Sequence, residues 1–123
     1  MNTNLFQLGE FTLHSGKKSN FKIECDNLTI EDLRTLALLV SQKIKFGYVT
    51  PIPRGGDQFA EVLKAYIDPS SEIELFVDDV YTTGLTMESA LSQKKDTTNV
   101  RGLVIFARNK PPKWISAIFQ MWS

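Results

Sequence analysis

The stretch Glu74–Ala90, ELFVDDVYTTGLTMESA, constrains the fold more than any other part of the chain. An apolar run from Ile73 to Val77 reads as a buried strand, Asp78–Gly84 as a loop, and the residues from Thr86 onward as a helix. Strand, glycine turn and helix in that order belong to open α/β sheets, where ligands gather outside the carboxyl ends of the strands. Backbone N–H groups at a helix start can bind a phosphate, threonine hydroxyls can add donors, and Gly84 lets the backbone turn tightly. Carboxylates repel phosphate, so Asp78 and Asp79 suit hydroxyl donors or a Mg²⁺ ion. Phosphate donors beside hydroxyl acceptors describe a sugar phosphate. The loop holds no lysine, which excludes a P-loop. The plain alternative is that the two acids only favour the dipole of the next helix, an effect of about 0.3–1 kcal/mol.

The rest of the chain supports the same α/β reading. Thr29 and Asp32 form a near capping box, followed by apolar residues at Leu33, Leu36, Ala37, Val40 and Ile44 on one helical face, with Gly47 expected to stop the helix. YVTPIP is a short strand, and Gly55-Gly56 turns into a helix carrying Phe59, Val62, Leu63 and Tyr66. RGLVIFA is a further buried strand, and KWISAIFQMWS reads as a last one. Near the start, Phe11 with Leu13 and Phe21 with Ile23 alternate on either side of Ser15-Gly16-Lys17-Lys18, a hairpin pattern. The expected architecture is one α/β domain with a mainly parallel, twisted sheet and helices on its faces.

A chain of 123 residues is large enough for one core and too short for two. Its formal net charge is zero, so no chain-wide field draws it to nucleic acid or an anionic membrane. The single cysteine, Cys25, excludes an internal disulfide framework and a CxxC metal site, and fits a reducing compartment. MNTNLFQLGEFTL resembles neither a signal peptide nor a membrane anchor, so a cytoplasmic location is expected.

LFVDDVYTTGLT resembles the phosphoribosyl-diphosphate (PRPP) signature of type I phosphoribosyltransferases, with Tyr81 where a smaller aliphatic residue is usual. The resemblance implies that Asp78 and Asp79 contact the ribose hydroxyls, and a ribose-bound Mg²⁺, while Thr82, Thr83, Gly84, Leu85 and Thr86 hold the 5′-phosphate. TPIPRGG stands where that family has its diphosphate loop, which gives Arg54, Gly55 and Gly56 that role. Family members often hold a strained or cis peptide there. Taken alone, Pro-Arg-Gly-Gly is equally an ordinary solvated turn.

GEFTLHSGKKS from Gly9 is similar to the hood of orotate phosphoribosyltransferases, so residues 1–28 are read as a hood and 29–123 as the core. His14 stands where those enzymes carry a lysine near the reacting groups, and the base is left open. As the one histidine, His14 could do acid–base work near neutrality or be structural. Lys17 and Lys18 are candidate anion contacts or a solvated turn. KPPKWISAIFQMW is similar to a base-contacting segment of purine-type members, so Trp114 is either a base-stacking residue or, like Trp122, a packing or dimer contact.

The interval Asp57–Glu72 holds a helix and a turn and leaves no room for the flap that covers the family's reaction. Two functions therefore stand open: a phosphoribosyltransferase acting on PRPP and a nitrogenous base with Mg²⁺, or a nucleotide-binding module without turnover. The resemblance also implies a homodimer.

Overall fold

The computed structural model describes residues 28–120, together with the backbone of two short strands before them. These are β1 (Phe11–Thr12) and β2 (Lys18–Ser19), paired antiparallel as Phe11 with Ser19 and Thr12 with Lys18. An antiparallel pair is present where a hairpin is expected, but its second strand includes Lys18, which the sequence places in the turn, and starts before Phe21. Leu13, His14, Lys17, Phe21, Ile23 and Trp122 lie outside the described residues.

Helix α1 (Ile30–Ser41) begins at a complete capping box. The Asp32 N–H donates to Thr29 Oγ1 at 3.0 Å and the Thr29 N–H to Asp32 Oδ2 at 2.9 Å. These bonds let Asp32 sit buried at the head of a face formed by Leu33, Leu36, Ala37 and Val40. The helix closes with Gln42 as its C-cap, so Gly47 does not end it. Gly47 instead lets the chain enter the sheet close against another segment. Its N–H donates to Ile73 O at 2.8 Å, and a side chain there would run into the Ser71 carbonyl.

Strand β3 (Tyr48–Pro51) is followed by α2 (Asp57–Leu63), a 3₁₀ turn (Lys64–Tyr66), β4 (Glu74–Tyr81), α3 (Leu85–Ser92), β5 (Val100–Ala107) and β6 (Ile115–Gln120). The four strands form one parallel sheet whose spatial order, β3-β4-β5-β6, is their chain order. Helices make the first two crossovers. The third, residues 108–114, contains no helix. The register of Gly102 with Ile115 and Ala107 with Gln120 requires this segment to run back roughly 17 Å, which Pro111-Pro112 favours by holding it extended.

Side chains alternate between the two faces of the sheet. On one face Leu75 and Val77 of β4, Leu103 and Ile105 of β5 and Ile118 of β6 meet α1 and α2 through Val40, Phe59 and Leu63. On the other, Phe76, Val104, Ile115 and Ala117 meet Met87 of α3 alone, a helix of eight residues. The second face has less helical cover.

Strand β4 extends further than its sequence indicates. It continues through both acids to Tyr81 because β5 pairs with it along its whole length, Asp78 opposite Val104 and Tyr81 opposite Ala107. On its other side β3 stops where Pro51 meets Val77. From that level the Asp79 N–H is met by the Asp78 carboxylate at 2.8 Å, and the Val80 N–H by Asp79 Oδ1 at 2.7 Å. The acids therefore occupy strand positions rather than the loop expected for them.

Candidate functional site

Two turns meet at the carboxyl end of β4. The first, Pro53–Gly56, joins β3 to α2 and holds a cis peptide between Pro53 and Arg54, the feature expected of that loop. It lies directly on β4: a side chain at Gly56 would strike the Val77 carbonyl, and one at Gly55 would come within 2.7 Å of Asp79 Oδ2. Only glycine permits this approach. Arg54 is exposed at the rim.

The second turn, residues 82–84, leads into α3. Gly84 has φ of 80°, in the left-handed region, and caps the helix without any side-chain hydrogen bond. Gly84 thus offers the first N–H groups of α3 no acceptor of its own; the Leu85 N–H meets only Thr83 Oγ1, at a long 3.5 Å, and the group suits an anion. Thr82, Thr83, Leu85 and Thr86 are exposed around them. Together with Asp78 they line a recess of about 40 Å³, enough by the usual measure for about three waters or one phosphate group.

The carboxylates of Asp78 and Asp79 project from adjacent positions toward different turns. Asp78 lines the recess at Gly84, and Asp79 lies against Gly55. Burial pushes the Asp78 carboxyl up to about 7, and the neighbouring Asp79 carboxyl adds to the rise, against the opposing hydrogen bond from the Asp79 N–H. An incoming cation or hydroxyl donor would stabilise the ionised form. Among the described residues no group of three or more metal-ligating side chains is present. Two adjacent carboxylates nonetheless fit Mg²⁺, which takes one or two protein carboxylates and completes its shell with water and substrate phosphates.

The structure brings Arg54, Gly55, Gly56, Asp78, Asp79 and residues 82–86 together. Trp114 is not among them: it packs on the second face, its ring beside Gly102, which the register sets opposite Phe76 and so upstream of the acids. Lys18 enters through its place in β2 alone, and His14 and Lys17 lie outside the described residues.

One part of the site lies outside the sequence motifs. The Arg108 N–H donates to Tyr81 O at 2.9 Å and Asn109 Nδ2 to Thr82 O at 2.6 Å, so the segment after β5 is fastened to the phosphate turn. Arg108 and Lys110 are exposed on that segment. The available signal was a basic RNK run at the carboxyl end of an apolar strand.

A larger cavity, about 650 Å³, lies elsewhere. It opens at the amino ends of the strands, between Tyr48, Thr50, Glu74, Lys94, Asp96 and Asn99, and no candidate site residue lines it.

No family model and no curated protein matches the chain. Solved structures do match it. The orotate phosphoribosyltransferase of Aeropyrum pernix superposes with a TM-score of 0.61 at 17% identity, over 92% of this chain and 86% of that one. The chain has the type I phosphoribosyltransferase fold. A hypothetical protein from Neisseria gonorrhoeae with bound ppGpp matches this phosphoribosyltransferase fold at TM-score 0.57 and 17% identity, over 77% of this chain and 82% of that one. The Helicobacter pylori xanthine-guanine-hypoxanthine phosphoribosyltransferase does so at 0.52 and 16%, over 72% and 85%.

Proposed function

We propose that this protein binds PRPP or a nucleoside 5′-monophosphate with Mg²⁺ and transfers ribose 5-phosphate to a nitrogenous base. The observation that carries this reading is the convergence of the 53–56 and 82–86 turns on Asp78 and Asp79 at one end of β4. The fold shared with phosphoribosyltransferases of two base classes supports it.

In this reading the N–H groups at the start of α3 and the hydroxyls of Thr82, Thr83 and Thr86 hold the 5′-phosphate. Asp78 and Asp79 accept hydrogen bonds from the ribose hydroxyls. The backbone of Gly55 and Gly56, with the Arg54 guanidinium, receives the diphosphate. Bound Mg²⁺ supplies neutralisation of the diphosphate charge. The bond from the ribose C1 to diphosphate breaks with its electron pair leaving on the diphosphate, and a lone pair on the base nitrogen forms the new bond. His14 and the hood lysines Lys17 and Lys18 would approach from the hood, residues 1–28. Trp114 keeps its packing role. The working form is a cytoplasmic homodimer.

A second reading is favoured by one feature. Only residues 67–73 separate the 3₁₀ turn from β4, and they hold no hairpin to cover the site. A nucleotide-binding module without turnover would need only the pocket, and the similar fold of the protein with bound ppGpp is consistent with that use.

Calorimetric titration of PRPP with Mg²⁺, followed by measurement of diphosphate release with a panel of bases, separates the two. Binding with release supports the transferase, and binding without release supports the module. No heat and no thermal stabilisation at millimolar PRPP would overturn both.

A further inference from the structure

We infer that Tyr81 is a phosphate-contacting residue of the 82–86 turn, its phenol hydroxyl acting as a donor where no lysine is available. The inference rests on the reading of that turn as a 5′-phosphate site. Tyr81 is the last residue of β4, and its backbone is fixed from two directions, by pairing with Ala107 and by the Arg108 N–H on its carbonyl. Its side chain is half-buried and packs at the margin of the second-face core, so the ring has a set position.

That position is against the glycine of the turn. A Cβ at Gly84 would lie 2.7 Å from Tyr81 Cε2, 3.0 Å from the hydroxyl oxygen and 3.1 Å from Cζ. The hydroxyl end of the ring is thus the part that reaches Gly84. Tyr81 lines the same recess of about 40 Å³ as Asp78 and residues 82–87. Among the described residues the hydroxyl has no hydrogen-bond partner.

The chemistry of the recess gives this donor a use. Its other donors are backbone N–H groups and aliphatic hydroxyls, and its one ionisable neighbour is Asp78, which repels a phosphate when ionised. A phenol is a stronger O–H donor than an aliphatic alcohol, and a hydrogen bond to a charged phosphate oxygen is among the stronger kinds. The ring also occupies the space beside Gly84, so the turn and the hydroxyl are held in one arrangement before a ligand arrives.

The test is calorimetric titration of ribose 5-phosphate into the wild type, Tyr81→Phe and Tyr81→Val, with inorganic diphosphate as a reference ligand for the 54–56 turn and thermal melts to establish folding. Tyr81→Phe keeps the ring and removes only the hydroxyl. We expect it to bind ribose 5-phosphate roughly 10-fold more weakly, with diphosphate affinity and melting midpoint as in the wild type. Tyr81→Val, which also removes the ring, should bind at least as weakly and melt lower. Equal ribose 5-phosphate affinity in Tyr81→Phe and wild type would overturn the role of Tyr81 and leave the phosphate site standing. Equal loss of both ligands would reduce Tyr81 to a packing residue. A wild type that binds diphosphate and no ribose 5-phosphate would overturn the phosphate turn itself, and Tyr81 with it.

Discussion

Strand β4 carries carboxylates at both ends, and the fold treats them in opposite ways. At the amino end Glu74 accepts a hydrogen bond from Thr50 Oγ1 at 2.6 Å and an ion pair from Lys94 Nζ at 2.9 Å. Its burial would raise the carboxyl, yet the bonds from Thr50 and Lys94 hold it below the ordinary 4.5. At the carboxyl end, about 13 Å along the strand, burial and Asp79 push Asp78 up to about 7. The first end is electrostatically complete. The second sets two like charges side by side with no cation among the described residues to offset the rise at Asp78, and it is also the end where both glycine turns arrive. A large cavity at the complete end and a small recess at the incomplete one show that volume alone is a poor guide to chemistry.

Substitutions can break this contrast, and the largest effect falls on binding. Asp78→Asn with Asp79→Asn should reduce PRPP affinity by about 100-fold or more, given the strength of hydrogen bonds to charged groups, while Glu74→Gln leaves it within about threefold. Titration calorimetry on folded variants checks this, and an equal loss in Glu74→Gln would erase the distinction between the ends. Next in size is the packing of the first turn. Gly56→Ala sets a methyl on the Val77 carbonyl, which cannot move without disturbing β4, and should lower stability in urea by about 2–3 kcal/mol. Gly55→Ala meets a side-chain carboxylate instead and should lose more ligand affinity than stability.

Smaller again is the loss of the finished pair. Glu74→Gln should destabilise by about 1 kcal/mol, and Lys94→Met by less, because its side chain is 40% exposed. The smallest effect is in pH. Asp78 has its folded value raised from 3.8 to about 7, so the stability linked to it is present below pH 3.8 and is lost as pH rises toward 7. Asp78→Asn should therefore gain on the wild type progressively across that window. Glu74 has the opposite sign: its contribution is present above 4.5 and fades as pH falls through its lowered value, so the deficit of Glu74→Gln should shrink in acid. Urea titrations between pH 3 and 8 on both variants would show two curves of opposite slope.

What could be read from the sequence was whatever its local physics decides. The Thr29–Asp32 box, the glycine at 84 and the apolar runs of β4 and β5 need only near neighbours to be recognised. The length of β4 was misjudged because acids and a tyrosine continue the strand only when β5 stands beside them. Gly47 looked like a helix stop, whereas its reason is the carbonyl of Ser71, a contact between distant segments. The same holds for Asn109, whose bond to Thr82 is made by the crossover from β5 to β6 and by nothing in either local sequence. The pairing of the two turns on β4 was expected only through resemblance, and the contacts of Gly55 and Gly56 supply its physical basis.

The order β3-β4-β5-β6 also bears on how the chain reaches its native state. Each new strand docks on the one made just before it, so no pairing waits for a segment not yet synthesised. Sheet contacts then close loops of modest length, the last of them the shortest, which keeps contact order low for a parallel sheet and favours fast folding. As a ribosome releases this chain from its amino end, the edge that grows is always the template for the next strand, while the outer edge of β3 stays at the margin of the sheet throughout.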